Sequence, residues 1–230
     1  MAATRRINIA IDGPASSGKG TVAREVARAL GYAYVDTGAI YRAVAFAADA
    51  AGVPWSDEER VAALARALPL RFSWAEARLR VMLGDDDVTD AIRAEHVGRG
   101  ASAVAVLPAV RAALLDLQRG LAAHGGVVMD GRDIGTVILP GAELKVFLDA
   151  APAERARRRT LELRARGEPA DEGTVLREIV ARDAQDSGRA TAPLRAADDA
   201  IHVDTTALSA AEAREAVLAL ARARIGVTTP

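Results

Sequence analysis

Nine residues near the N-terminus, Gly13-Pro14-Ala15-Ser16-Ser17-Gly18-Lys19-Gly20-Thr21, constrain the fold of this chain more than any other stretch. They follow a short apolar run, Ile7–Asp12, and open a helical stretch from Lys19 to Leu30 that Gly31 stops. Tyr32–Asp36 reads as a second strand, and a helix from Ala39 to about Ala51 ends at Gly52-Val53-Pro54. Strand, helix, strand, helix is the pattern of a parallel sheet with crossover helices. Glycines let backbone N–H groups converge on phosphate oxygens, and a helix N-terminus adds a favourable dipole. Lys19 supplies a point charge for β- and γ-phosphates. The alternative is a glycine-rich turn with no ligand, but the strand before and the helix after favour phosphate.

Beyond residue 54 the rhythm changes. Leu70–Trp74 and Arg78–Leu83 are alternating runs around Ala75-Glu76-Ala77, which predicts a small antiparallel hairpin. Asp85-Asp86-Asp87 follows, then a helical stretch through Ala101, so residues 63–102 read as an insertion outside the main sheet. Leu107-Pro108 opens a long helix closed by Gly125-Gly126. Val127–Asp130 and Leu144–Leu148 are strand candidates around a polar loop, Gly131–Gly141. An Arg-dense helix from Pro152 to Gly167, a helix from Thr174 to about Gln185, a strand Ile201–Asp204 and a helix over 210–224 complete the chain.

Composition removes whole classes of function. With no cysteine there is no disulfide, thiolate metal site or cysteine nucleophile, and His96, His124 and His202 are too scattered for a metal motif. The 30 basic and 31 acidic side chains leave a formal charge of −1, which argues against a nucleic-acid polymer or a membrane surface as partner. The apolar run after Arg5 and Arg6 is too short for a signal peptide, and none approaches a membrane span. A cytoplasmic location is expected.

Lys19 is followed by Gly20, and the hydroxyl comes one place later at Thr21; this GKGT form is similar to that of nucleoside monophosphate kinases. Asp36-Thr37-Gly38-Ala39-Ile40-Tyr41-Arg42 follows the second strand, and Asp130-Gly131-Arg132-Asp133-Ile134-Gly135-Thr136-Val137 ends the third. Ser102 with Arg111, and Arg182-Asp183 with Asp186 and Arg189 before Ala192-Pro193-Leu194, complete a set that resembles the bacterial-type cytidylate kinases. The resemblance runs from the first strand to the last. It implies an α/β P-loop fold with a central five-stranded parallel sheet flanked by helices. It also implies an acceptor-binding domain with a small antiparallel insertion, and a short Arg-rich lid. On that plan residues 1–36, 103–153 and 169–230 form the core, 37–102 the CMP-binding domain including the insertion, and 154–168 the lid.

The same resemblance implies roles. Gly13 to Thr21, with Arg158, would bind ATP, and Lys19, Arg132 and Arg182 would be catalytic. Arg42 and Arg132 match the arginines that grip the acceptor phosphate, a task suited to a planar, permanently charged fork. Ser102, Arg111 and Asp133 match the base contacts. Cytosine sets an N4 donor beside acceptors at N3 and O2, which an Asp–Arg pair complements, although such a pair is also an ordinary structural salt bridge. Asp186 matches a carboxylate on the sugar hydroxyls, Arg189 faces phosphate, and Thr37 and Tyr41 line the acceptor site. Asp130 is a candidate carboxylate behind a Mg²⁺ held mostly by phosphates and water. Of Arg155, Arg157, Arg158, Arg159, Arg164 and Arg166, helical spacing lets only some face a nucleotide.

A phosphate monoester has its second pKa near 6, so its attacking oxygen is already deprotonated at neutral pH and no general base is needed. The implied reaction carries the γ-phosphoryl group of ATP to CMP, and to dCMP, in a monomeric enzyme with Mg²⁺. Two alternatives stand beside it. One is a kinase for another small acceptor, such as UMP, AMP or shikimate. The other is a P-loop switch protein, which the chain's single asparagine, Asn8, disfavours because an NKxD guanine-reading loop cannot be built.

Overall fold

The computed structural model describes residues 6–75 and 78–226, so the tip of the predicted hairpin at Glu76-Ala77, and Arg5, lie outside the described residues. Strands β1 (Asn8–Asp12), β2 (Ala33–Asp36), β6 (Val127–Gly131), β7 (Leu144–Asp149) and β8 (Ile201–Asp204) form one sheet in the order β2-β6-β1-β7-β8. The second sheet is small, with β3 (Leu70–Ala75), β4 (Arg78–Leu83) and the two-residue β5 (Asp86–Asp87) in sequence order. The helices are α1 (Lys19–Leu30), α2 (Thr37–Ala50), α3 (Glu58–Ala67), α4 (Glu95–Val104), α5 (Pro108–Leu121), α6 (Pro152–Ala165), α7 (Glu172–Ser187) and α8 (Ala210–Gly226). The expected central parallel sheet with flanking helices and a small antiparallel sheet is present.

The chain packs as two compact units, residues 33–124 in one and the remainder in the other. In the larger unit β1 pairs in parallel with β6 on one side and β7 on the other, with Asp12 opposite Gly131 and Phe147. Ile9, Ile11, Val128, Met129, Leu144, Val146 and Leu148 are buried along these strands. Strands covered on both faces read as continuous apolar runs for this reason. Asp12 and Asp130 are buried too, at or near the carboxyl ends, where ligands of open α/β sheets collect. Gly18 (φ 87°) and Gly31 (φ 65°) bracket α1 in left-handed conformations that only glycine adopts cheaply.

The unit of residues 33–124 has its own core. Ile40 and Val44 of α2, Val61 of α3, Val97 and Val104 of α4, and Val110 and Leu114 of α5 meet Leu70 and Val81 of the small sheet. Asp36 caps α2 by accepting from the Ala39 N–H at 3.1 Å, and Asp57 caps α3 from the Arg60 N–H at 3.2 Å. Gly100 lets α4 approach the Trp55 ring, since a Cβ there would lie 2.6 Å from it. Helix α3 has no counterpart in the sequence reading, and β5 adds a third strand to the predicted hairpin.

Candidate active site

The phosphate loop leaves β1 at Gly13, where a side chain is impossible: a Cβ would lie 2.0 Å from the Leu148 carbonyl oxygen. Three donors take the loop's carbonyls. Lys19 Nζ donates to Pro14 O at 3.1 Å, Arg155 Nη1 to Ala15 O at 3.1 Å, and the Thr205 hydroxyl is 3.3 Å from Ser17 O. A peptide plane whose C=O is turned toward the protein turns the following N–H the other way, so these contacts orient the loop's amides. Ser16 holds φ 59°, an uncommon conformation for a non-glycine residue, and Ser17 is buried with its hydroxyl lacking a hydrogen-bond partner. Gly20 is half-buried and Thr21 exposed at the start of α1.

The arginines of α6 divide by environment. Arg155 is buried, donating also to Ala150 O at 2.8 Å and pairing with Asp183 at 2.6 Å, so it braces the loop against α7. Arg158 donates to Glu154 and to the hydroxyl and carbonyl of Thr205, with Nη1 3.9 Å from where a Gly18 Cβ would stand. Arg157 and Arg158 both bind Glu154, and the Arg157 hydrogen bond is the larger cause holding that carboxyl down at about 2. Arg159 and Arg166 pair with Glu162, and Arg164 donates to Ala170 O. Of these arginines, Arg155 contacts the phosphate loop directly at Ala15 O, and Arg158 approaches it at Gly18.

Around the end of β6 the same unit gathers a cationic cluster. Asp186 of α7 is buried and accepts from Arg132 Nε at 2.8 Å and from Arg189. Burial pushes the Asp186 carboxyl up, but the charges of Arg132, Arg189 and Arg182 outweigh it and hold the group below the usual carboxylate range. Both Asp186 oxygens therefore serve arginines here. Asp133 is buried immediately before a π-helical turn, Ile134–Ile138, which replaces the loop expected there. Asp12, absent from the sequence reading, accepts from the N–H groups of Ile134 and Gly135, both at 2.7 Å. A carboxylate directly before a glycine loop was the one available signal for it.

The unit of residues 33–124 gathers the other predicted acceptor residues. The Arg111 guanidinium of α5 lies over the Tyr41 ring at 5.6 Å and donates to Ala105 O. Arg42 donates to Ile92 O at 3.3 Å, and a Cβ on Gly98 would lie 3.2 Å from its Nη1. Ser102 donates to the Gly98 carbonyl. Thr37, buried, begins α2. Tyr41, Arg42, Ser102 and Arg111 thus come from three helices of one core.

No group of three or more acidic or histidine side chains among the described residues could hold a metal by itself. Asp12 has both oxygens engaged by amides, and Asp130 is buried on β6. This donor set fits a divalent metal held mainly by nucleotide phosphates, not by a protein cage.

Comparison with known proteins agrees in extent with these motifs. The family model for cytidylate kinase matches residues 9–223. A cytidylate kinase of Geobacillus kaustophilus is 50% identical over 222 residues, covering 96% of this chain and 99% of its own length. One of Pseudomonas aeruginosa is 52% identical over 203 residues, covering 87% and 89%. Among solved structures, an uncharacterized protein from Eubacterium ventriosum is similar at TM-score 0.50 and 12% identity, over 95% of this chain and 99% of its own, a likeness of fold alone. Matched over nearly its whole length by both the family model and full-length relatives, the chain belongs to the cytidylate kinase family.

Proposed function

We propose that this chain is a kinase that transfers the γ-phosphoryl group of ATP to CMP, and to dCMP, forming ADP and the nucleoside diphosphate. The observation that carries the reading is the Asp186-bridged pair of Arg132 and Arg189, one residue from Asp133 and in the same unit as the phosphate loop. An arginine pair held by a buried carboxylate is preorganised for phosphate oxygens.

The chemistry asks little of the protein beyond position and charge. The acceptor oxygen is already anionic at neutral pH. Loop amides from Gly13 to Thr21 and the Lys19 ammonium cradle the donor phosphates, while Arg42, Arg132 and Arg189 hold the acceptor phosphate. Arg182 adds positive charge where the transferred group passes. Arg158 contacts the donor from α6. A Mg²⁺ would be held mainly by the phosphates of the nucleotide, with Asp130 as the candidate carboxylate behind it, and would supply charge against the triphosphate. Thr37 and Tyr41 wall the acceptor, and Ser102, Arg111 and Asp133 read its base.

Residues 154–168 act as the lid over ATP, 37–102 as the CMP-binding domain including the insertion 63–102, and 1–36, 103–153 and 169–230 as the P-loop core. Closure only with both nucleotides present keeps water from replacing CMP as acceptor. The enzyme works as a cytoplasmic monomer.

Uracil replaces the N4 amine with an O4 acceptor and the N3 acceptor with an N–H donor. A carboxylate facing O4 and a guanidinium facing N3–H would each lose a partner, at about 1–3 kcal/mol apiece. Steady-state kinetics of Asp133→Ala test this. The expected result is a strong loss of kcat/KM for CMP and a much smaller loss for UMP, which narrows their ratio. Equal losses for both would assign Asp133 to holding the site's shape and remove the support for CMP specificity.

A further inference from the structure

Asp12 is the last residue of β1, and the phosphate loop begins at its neighbour Gly13. Its carboxylate is buried, with Oδ1 on the Ile134 N–H and Oδ2 on the Gly135 N–H, each at 2.7 Å. Two successive amides aimed at the two oxygens of one side chain match a carboxylate, which accepts at both. An amide side chain would set its NH2 donor against one of those N–H groups.

The segment so gripped begins at Arg132. That side chain is fixed by Asp186 on one side, the backbone of Ile134 and Gly135 is fixed by Asp12 on the other, and Asp133 stands between the two anchors. Asp12 itself has little room to move, because Gly13 is pressed against the Leu148 carbonyl and Asp12 pairs with both Gly131 and Phe147. Lys145 borders the contact: a Cβ on Gly135 would lie 3.1 Å from its Cδ and 3.4 Å from Asp12 Oδ2.

We propose that Asp12 is a positioning residue for base selection and phosphoryl transfer, holding Arg132 and Asp133 in register with the start of the phosphate loop. This rests on the kinase reading above. Burial pushes the Asp12 carboxyl up to about 6 with help from the neighbouring Asp133 charge, against the two backbone hydrogen bonds and Arg132. Folding would be easier without that charge, which is consistent with a role in the site and not in stability.

The test compares Asp12→Asn and Asp12→Ala with the unaltered chain, measuring kcat and kcat/KM for CMP and UMP, KM for ATP, and the thermal melt. Asp12→Ala removes the acceptor without setting an amide donor against either N–H. The expected result is a cooperative melt, KM for ATP within about twofold, and kcat with CMP down about tenfold or more. The CMP-to-UMP ratio of kcat/KM should fall at least severalfold in both variants. An unchanged ratio in a folded Asp12→Asn, or a uniform loss on both substrates accompanied by a lower melt, would overturn the proposal. Should Asp12→Asn fail to fold, an unchanged ratio in Asp12→Ala overturns it alone. Unaltered protein inactive on both CMP and UMP would overturn the kinase reading and this inference with it, and it is told apart by the control.

Discussion

Lys19 and Asp12 stand at the two ends of the phosphate loop and illustrate two kinds of buried charge. The Lys19 ammonium donates to the Pro14 carbonyl, 3.1 Å away, within the glycine-rich loop. Lys19→Ala should keep the fold, since alanine suits the first turn of α1, and should lower kcat by about a hundredfold or more. Near-unaltered turnover in a variant with an intact melt would contradict the donor-site assignment. Asp12 behaves differently because its ordinary carboxyl value of 3.8 rises to about 6 in the fold. The stabilising preference for its protonated form is complete below the ordinary value and is lost as pH rises through about 6. Over that window the cost is on the order of 3 kcal/mol. Asp12→Asn carries no such titration, so its melting temperature relative to the unaltered chain should rise by several degrees between pH 4.5 and 7.5. A pH-independent difference would mean that Asp12 is not a buried ionised carboxylate. The phosphate loop was legible residue by residue because glycine and lysine spacing encode it locally. Asp12 was not: its partners lie more than a hundred residues away, and only the fold brings them together.

Most elements were legible from local pattern. α1 over Lys19–Leu30 and β8 over Ile201–Asp204 fall where apolar spacing and glycine stops put them. α3 was missed although Asp57 caps it, because its buried stripe is only Val61, Ala62 and Ala65 among charged residues. The π-helical turn at Ile134–Ile138 was also missed; the N–H groups of its first two residues are taken by Asp12, which is distant in sequence. The arginines of α6 show the limit of counting charges. Arg155 is a brace to Ala15 and Asp183, a role that density along a helix does not reveal. The apolar contact of α6 with α7 is small, centred on Ala156, Val175 and Ile179. Elements with few buried apolar contacts open readily, so ATP and CMP together should slow hydrogen exchange over 154–167 more than either alone. Equal exchange with and without both nucleotides would exclude this segment as the lid.

At the scale of the molecule, the two compact units each carry part of the predicted residue set. Residues 33–124 hold Thr37, Tyr41, Arg42, Ser102 and Arg111, and the other unit holds the phosphate loop, Arg132, Asp133, Arg182, Asp186 and Arg189. Among the described residues no single helix is long and apolar enough to cross a membrane. The helices α4 and α5, apolar and together long enough but sharply bent at their junction, contribute Val97, Val104, Val110 and Leu114 to the second core. Sequence motifs spread from Gly13 to Leu194 made family membership legible before any contact was known. The Arg132–Asp186–Arg189 cluster could be named by motif, but its bridged geometry could not. The identity of the acceptor decides what this kinase does, and ADP release from ATP by the purified chain measures it. The assay sets CMP, dCMP, UMP, AMP, GMP and shikimate side by side at equal concentration. The expected result is turnover with CMP and dCMP at least about tenfold above every other acceptor, as the loss of one base-pairing contact requires. Turnover with UMP, AMP, GMP or shikimate equal to or above that with CMP would exclude CMP as the preferred acceptor.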